Sequence, residues 1–377
     1  MGYLQLLRER ASRLCLAGLL AGLSVQTSMA QSHPNIMTWG ENISPWSQKL
    51  GLTSLREGCS IVPTDCEPYL DNLAIKEGAS TYYVSMPFDP ATSVSWAKQY
   101  STLSLTHKKM IAIGFDDFVN KIENDQIAGT LPDPAKFVTD VIAATKSANP
   151  NLAFGVTIYM DGLNHKALTD AVLPAALRAK IQFVHLYAHY REDAPNFAAA
   201  VAQAKTIFPG AKIIAGAYPY DRIDYLPCQF KGTVNCTVTQ ELNLYKQLLQ
   251  TQANLLKAGT IYSLEFFFGY FGDPEDWPSW TSETRICQPA RMTQCFSNSI
   301  QLQVISQQVL HATFPPVVSL GHTSLYMGNQ ALNVQGSPAS VVLTNTGSGP
   351  LTITSIGVTG VNRTEFPLSH NLSLIHI

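Results

Sequence analysis

The chain is 377 residues long, 46 % hydrophobic and only 14 % charged, with a formal net charge of −2. That length holds one large domain plus a small one, and the apolar content excludes disorder as the main state. A nearly neutral chain without basic runs carries no electrostatic footprint for nucleic acid, which is not expected as a partner.

The N-terminus sets the compartment. Arg8, Arg10 and Arg13 form a basic region ahead of the short apolar run LCLAGLLAGL (14–23), and Ser28-Met29-Ala30 places small residues at the positions a signal peptidase reads. Residues 1–30 therefore read as a signal peptide cleaved before Gln31, and the protein as secreted or held at the cell surface. The run is short for a membrane span; retained, it would be an N-terminal anchor. No other stretch is long and apolar enough to cross a bilayer, so no transmembrane segment is expected after cleavage. Loss of residues 1–30, with three Arg and one Glu, takes the net charge from −2 to −4.

Of the seven cysteines, Cys15 leaves with the signal. The other six fall into close pairs, Cys59/Cys66, Cys228/Cys236 and Cys287/Cys295, each in a loop-like stretch. Three local disulfides in an oxidising compartment are the economical reading. The rival, a metal cluster, would need C-x-x-C-type spacing or neighbouring His, and neither is present.

From about residue 80 one pattern repeats, a short strand-like run followed by an amphipathic helix. Strands are predicted at 35–39, 81–88, 109–116, 152–160, 181–189, 211–218 and 261–268, and helices at about 92–104, 134–148, 167–179, 195–207, 238–258 and 298–313. Asn149-Pro150, Pro209-Gly210 and Gly259 mark helix ends. Strands alternating with helices imply a parallel sheet with right-handed crossovers. Seven visible strands over residues 31–315 predict a (β/α)8 TIM-type barrel whose remaining strand is hidden in 41–79 or 270–297. An open doubly wound sheet fits less well, because no Gly-rich phosphate loop follows the first strand.

Side chains alternate faces along a strand. One parity is apolar and should meet the helices: Ile111, Ile113, Phe115; Phe154, Val156, Ile158; Val184, Leu186; Ile213, Ala215; Leu264, Phe266. The other parity should point into the barrel, and it contains Ser85, Gly114, Asp116, Thr157, Tyr159, Asp161, His185, Tyr187, His189, Gly216, Tyr218 and Glu265. Small residues come early in the strands; acids, His and Tyr come late, at the carboxyl ends where barrel enzymes place their chemistry.

After Phe314-Pro315-Pro316 charge nearly vanishes and Ser, Thr, Gly and Val dominate. The runs ASVVLTN (339–345) and PLTITSIGVTG (350–360), joined by Asn345-Thr346-Gly347-Ser348-Gly349, predict antiparallel strands around a turn. With Leu325, Gly328, Val341 to Gly347, Pro350 to Ile353, and Gly360 before Phe366, the stretch 324–366 resembles the immunoglobulin-like ASH/SPD-2/Hydin module, also seen in choice-of-anchor D bacterial surface proteins. The resemblance covers about the first half of such a sandwich and implies a spacer or adhesion role over 316–371, a partial Ig-like β-sandwich, with attachment to a cell surface or matrix. LSLIHI (372–377) reads as a translated sequencing-adapter end and not as native protein, which would leave the sandwich without its later strands and with an exposed edge and apolar face.

Three acids are candidate catalytic residues. Asp116 has inward parity and Asp117 lies at the strand–loop junction, and because adjacent carboxylates repel, one can keep a proton and serve as a general acid. The pattern IGFDDF (113–118) resembles the Asp-Asp pair of O-GlcNAcase-like glycoside hydrolase barrels and, more loosely, the acidic strand ends of chitinase- and hexosaminidase-type barrels; the DxxDxDxE pattern of chitinases is absent. The resemblance implies that one acid polarises a substrate acetamido group while the other protonates the leaving oxygen, a substrate-assisted hydrolysis. The plainer reading makes Asp117 a cap of the segment after it. Glu265, inward and flanked by aromatics, is either the partner acid, base or nucleophile opposite Asp116, or a structural carboxylate paired with a buried His or Arg.

Trp39, Tyr159, Asp161, His185, Tyr187, His189, Tyr218 and Tyr270 are candidate substrate-binding residues. Ring faces stack on the C–H faces of sugars while polar tips bond hydroxyls, although core packing explains many such aromatics. His185 and His189 lie about 13 Å apart on one strand face at ~3.3 Å per residue, too far to share a metal. No metal site or cofactor is expected, since no P-loop, nucleophile motif or ligand signature occurs. The sequence thus predicts a secreted carbohydrate-active barrel, a glycoside hydrolase acting on a polysaccharide or glycan. The alternative is a non-catalytic glycan-binding or adhesion protein.

Overall fold

The computed structural model describes residues 34–39, 50–58, 63, 66, 79–219, 237–267 and 292–321 (side chains from 297 in the last segment), and in the C-terminal stretch residues 324–325, 336–345, 347, 349, 351, 353, 355–359, 364 and 367. Eight parallel strands close into a barrel: β1 (Ile36–Trp39), β2 (Ser54–Gly58), β3 (Thr81–Met86), β4 (Met110–Phe115), β5 (Ala153–Tyr159), β6 (Phe183–Tyr187), β7 (Lys212–Ala217) and β8 (Ser263–Phe267). The seam is the pairing of β1 with β8, in register Ile36↔Leu264 to Trp39↔Phe267. The strand hidden from the sequence is β2, within 41–79.

Helices cover the outside: α1 (Ser93–Leu103), α2 (Phe118–Ile127), α3 (Pro134–Thr145), α4 (Ala175–Arg178), α5 (Phe197–Ile207), α6 (Val238–Lys257) and α7 (Met292–Thr313). Their starts carry local signals. Asp133 accepts the Lys136 N–H ahead of Pro134, and Thr237 and Gln240 form a reciprocal capping box. Gly129 and Gly259 follow α2 and α6 with φ of 74° and 68°, a conformation that penalises any Cβ. Two helices depart from expectation. Residues 118–127 form α2, although a loop was expected after Asp117; Phe118, Val119 and Ile122 are its buried face. The helix predicted over 167–179 is instead a 3-10 turn at Lys166–Leu168 and the single turn α4, because Pro174 takes the cap position and breaks the run.

The core has two parts. Ile113, Phe115, Val156, Ile158, Val184, Leu186, Leu264 and Phe266 face the helices as the parity predicts, and Phe115 packs with Phe88, Phe118, Phe137 and Phe154. Each such ring contributes about 2 kcal/mol by burial. Inside the barrel, Met37, Tyr83, Ala112, Ala153, Phe183 and Ile214 plug the amino-terminal end. Ile111 was expected to face the helices but packs against this inner plug. A register shift opposite Tyr82/Tyr83 makes it an extra residue, so the alternation resets there.

In the C-terminal stretch β9 (Val318–Leu320) pairs antiparallel with β10 (Leu343–Asn345). The expected hairpin of 339–345 with 350–360 is not formed among the described residues: 343–345 pairs with 318–320, and none of the described residues in 351–359 is in a strand. The turn itself is built by Asn345, whose Oδ1 accepts the Gly347 and Val317 N–H groups and whose Nδ2 donates to the Gly349 carbonyl. Val317, Val318, Leu320, Leu325, Val341 and Val342 are exposed.

Candidate active site

Above the apolar plug the barrel interior becomes polar, because strand parity brings one side chain from each of several strands to the same level. Arg56, the middle residue of β2, is the centre of this layer. Its Nη1 donates to Glu265 Oε2 at 3.4 Å; its Nη2 donates to Thr157 Oγ1 at 2.6 Å and Ser85 Oγ at 3.2 Å, and lies 3.7 Å from Asp116 Oδ1. The guanidinium carbon sits 3.7 Å from the centre of the Trp39 ring, a cation–π contact. A small cavity lined by Arg56, Tyr83, Ser85, Gly114, Gly155 and His185 lies beside it. A Cβ on Gly114 would lie 2.3 Å from the Gly155 carbonyl oxygen.

Glu265 is fully enclosed, at 0 % exposure. Its Oε2 also accepts His185 Nδ1 at 2.8 Å and the Tyr187 hydroxyl at 2.7 Å. Burial alone would raise its pKa, but His185, Arg56 and the Tyr187 hydroxyl outweigh that and hold it down at about 2. An ionised carboxylate only accepts, so the proton between Glu265 and His185 belongs to Nδ1. Burial, with Arg56 nearby, lowers the His185 pKa against the pull of Glu265, so the imidazole is neutral and its Nε2 carries the lone pair. Burial raises the Tyr187 pKa well above 10, and Glu265 adds to the rise, which keeps that hydroxyl a donor.

Asp116, just past β4, stands at the open side of the same cluster with its side chain 39 % exposed. Burial of part of the carboxyl raises its pKa and Asp117 adds to the rise; Arg56, the Asp117 N–H and Thr157 pull the other way without cancelling it. Its Oδ1 is buried and has no hydrogen-bond partner among the described residues. Asp117 takes the cap position of α2 at φ 50° and ψ 35°, but its side chain makes no capping bond. It is the one non-glycine residue at positive φ among those described. That conformation costs an L-residue about 1–2 kcal/mol and is the kind of local strain found at functional sites.

The mouth is aromatic. Tyr187 and Tyr218 form its floor with Trp39, Tyr159 and Phe267 packed around them. Trp39 lies 4.4 Å from Phe267, Tyr187 lies 4.9 Å from Tyr218, and the Tyr218 hydroxyl donates to that of Tyr159 at 3.3 Å. Asp161 and His189 form a separate rim group: Nδ1 of His189 is 3.5 Å from Asp161 Oδ2, and its ring packs on Tyr159 and Tyr190. His189, first among the causes, lowers the Asp161 pKa.

The structure therefore brings Asp116, Glu265, His185, Tyr187 and Trp39 into one cluster. It sets Tyr159 and Tyr218 beside that cluster and Asp161 with His189 at the rim. Tyr270 and the side chains of Cys59, Cys228, Cys236, Cys287 and Cys295 lie outside the described residues. Cys66 is buried and disulfide-bonded. No group of three or more His, Cys, Asp or Glu able to hold a metal occurs among the described residues. Arg56 was missed because 41–79 was not resolved into a strand. The signal was present, since two inward acids at one level require a buried cation.

No protein-family model and no curated protein matches the sequence. Solved structures with a similar outline include a GH113 beta-1,4-mannanase at 10 % identity and a TM-score of 0.47, covering 74 % of this chain and 99 % of that one. A GH18 chitinase from Cycas revoluta in complex with (GlcNAc)3 has 12 % identity and a TM-score of 0.41, covering 73 % and 99 %. The Ignisphaera aggregans GH53 catalytic domain has 11 % identity and a TM-score of 0.43, covering 64 % and 86 %. The assignment of this chain to the TIM-barrel class stands on its own strand register.

Proposed function

We propose that the protein is a secreted glycoside hydrolase working at the carboxyl end of its barrel with Asp116 and Asp117. The observation that carries this reading is the contrast between the acids. Asp116 stands at the open side of the polar cluster with its side chain 39 % exposed and Asp117 next to it in sequence, whereas Glu265 is shut away at 0 % exposure. Partial burial, which favours the protonated form of Asp116, supports the proton donor's part for it. With Glu265 sealed, that carboxylate does not face Asp116 across the mouth, which favours a substrate that supplies its own nucleophile. In that scheme Asp116 protonates the glycosidic oxygen as the C1–O bond breaks. The acetamido oxygen of the sugar closes on C1, and Asp117 holds the acetamido N–H. Water, deprotonated by the Asp116 carboxylate, then opens the ring intermediate.

A screen of the protein without residues 1–30 on aryl glycosides tests this. Hydrolysis of an aryl N-acetylhexosaminide, absent with the matching hexoside and lost in Asp116→Asn and Asp117→Asn, is expected. Unchanged activity in Asp117→Asn would remove that acid from the mechanism. The enclosure of Glu265 also favours a second reading, a barrel that binds glycan without cleaving it. Retention on insoluble glycan with no hydrolysis would decide for it. Export through residues 1–30, pairing of the six remaining cysteines as neighbours, and attachment through an Ig-like 316–371 belong to the same proposal; peptide mapping of the secreted protein under non-reducing conditions tests the first two.

A further inference from the structure

Asp116 follows β4 and Glu265 lies on β8, strands on opposite sides of the barrel, and the same guanidinium lies within 4 Å of both carboxyls. We infer that Arg56 is the positioning residue of the site, a buried fork that ties the open carboxyl of Asp116 to the enclosed carboxylate of Glu265, so that Glu265 acts on Asp116 through Arg56 and not on a substrate. The inference rests on the proposed function only for what Asp116 does chemically; the link itself is independent of any reaction.

The fork is fixed on every side. Trp39 covers its face, Ser85 and Thr157 hold Nη2, and Glu265 holds Nη1. A planar guanidinium can engage two carboxylates on separate nitrogens, whereas a lysine ammonium is a single point charge that would follow the more deeply buried one. Among the described residues, the charged and titratable groups around it are Tyr83 on β3, Asp116 and its neighbour Asp117 at the end of β4, His185 and Tyr187 on β6, and Glu265 on β8. One positive charge is thus divided between two anions. Removing either anion leaves the other with the whole of it, and removing the cation leaves both uncompensated.

This gives opposite signs for two variants. The titration of Asp116 is followed by 13C NMR of the full chain labelled at aspartate carboxyl carbons, with Asp116→Asn to assign the signal. Glu265→Gln shifts the Asp116 titration to lower pH, because Arg56 then serves Asp116 alone. Arg56→Met shifts it to higher pH, and so does Arg56→Lys, whose ammonium stays with Glu265. A role confined to stability would move the unfolding midpoint without moving one residue's titration in two directions. An Asp116 titration unmoved in both Glu265→Gln and Arg56→Lys overturns the inference; those two variants carry the test if Arg56→Met does not fold. In an active protein Arg56→Lys should also lower kcat/KM by about 100-fold through misplacement of Asp116. Paired NMR shifts without any hydrolysis in the parent protein would retire the glycosidase reading and leave the Arg56 link standing.

Discussion

The ring of Tyr187 occupies the space that a side chain on Gly216 would need. A Cβ there would lie 2.2 Å from the ring, and the two residues are direct cross-strand partners on β6 and β7. Since the Tyr187 hydroxyl holds Glu265, Gly216 sets the height of the polar layer. Gly216→Ala should cost about 1–3 kcal/mol by overpacking. In a Tyr187→Ala background the same change should be close to neutral. Urea denaturation of the four proteins of this double-mutant cycle measures the coupling, and additive costs would show that the contact is not the cause.

Asp117 separates stability from function. Replacing it by glycine removes the steric cost of the left-handed backbone and adds the smaller entropic cost of glycine, for a net gain of about 0.5 kcal/mol. Asp117→Ala keeps the strain and gains nothing. The glycine variant should therefore unfold at a higher temperature than the parent while losing hydrolysis. A lower midpoint would mean that the aspartate side chain stabilises the turn.

Acid stability should report Glu265. Its folded pKa of about 2 lies below the ordinary 4.5, so its contribution is complete above 4.5 and is lost as pH falls from there through 2. The buried neutral His185 has the same sign: its contribution is complete above 6.5 and is lost as pH falls through its lowered folded value. Asp116, raised, has the opposite sign and loses stability as pH rises through its folded pKa. Thermal unfolding midpoints of the parent should drop steeply between pH 4.5 and 2, and Glu265→Gln should flatten that limb. Parallel profiles would show that Glu265 is not held as described.

A second buried ion pair supports the mouth from outside. Arg191, just beyond β6, pairs with Glu241 on α6, donates to the Tyr218 carbonyl at 3.1 Å, and lies 5.3 Å from the Tyr245 ring centre. Glu241→Ala leaves a buried charge with that partner removed and should cost about 3–5 kcal/mol. The double change Glu241→Ala with Arg191→Met should recover most of it, read by urea denaturation. A double variant no more stable than Glu241→Ala would place the cost in packing.

The barrel was legible because parity and periodicity repeat in every unit. Phe154, Val156 and Ile158 are an alternating apolar set whichever residues lie around them. That Glu265 could pair with a buried His or Arg was legible; which Arg was not. Arg56 lies in SLREG, five residues in which only Leu55 marks the apolar face, too short a run to declare a strand. Ile111 was misplaced because a bulge resets alternation without a signature of its own. The helix after Asp117 was hidden by the acid pair itself, which reads as the start of a loop until the left-handed turn places Phe118, Val119 and Ile122 on one buried face.

The β1–β8 seam has a kinetic consequence. Arg56 and Glu265 are separated by 209 residues of chain, and parallel pairing across such a span is slow because loop closure precedes any gain from contact. Until β8 arrives, an arginine on β2 would have Asp116 as its counter-ion but not the enclosed Glu265, so a barrel closed early would be penalised at that point. The ionic cluster thus ties completion of the sheet to arrival of its last strand, and weakening Arg56 or Glu265 should slow refolding as well as lower stability.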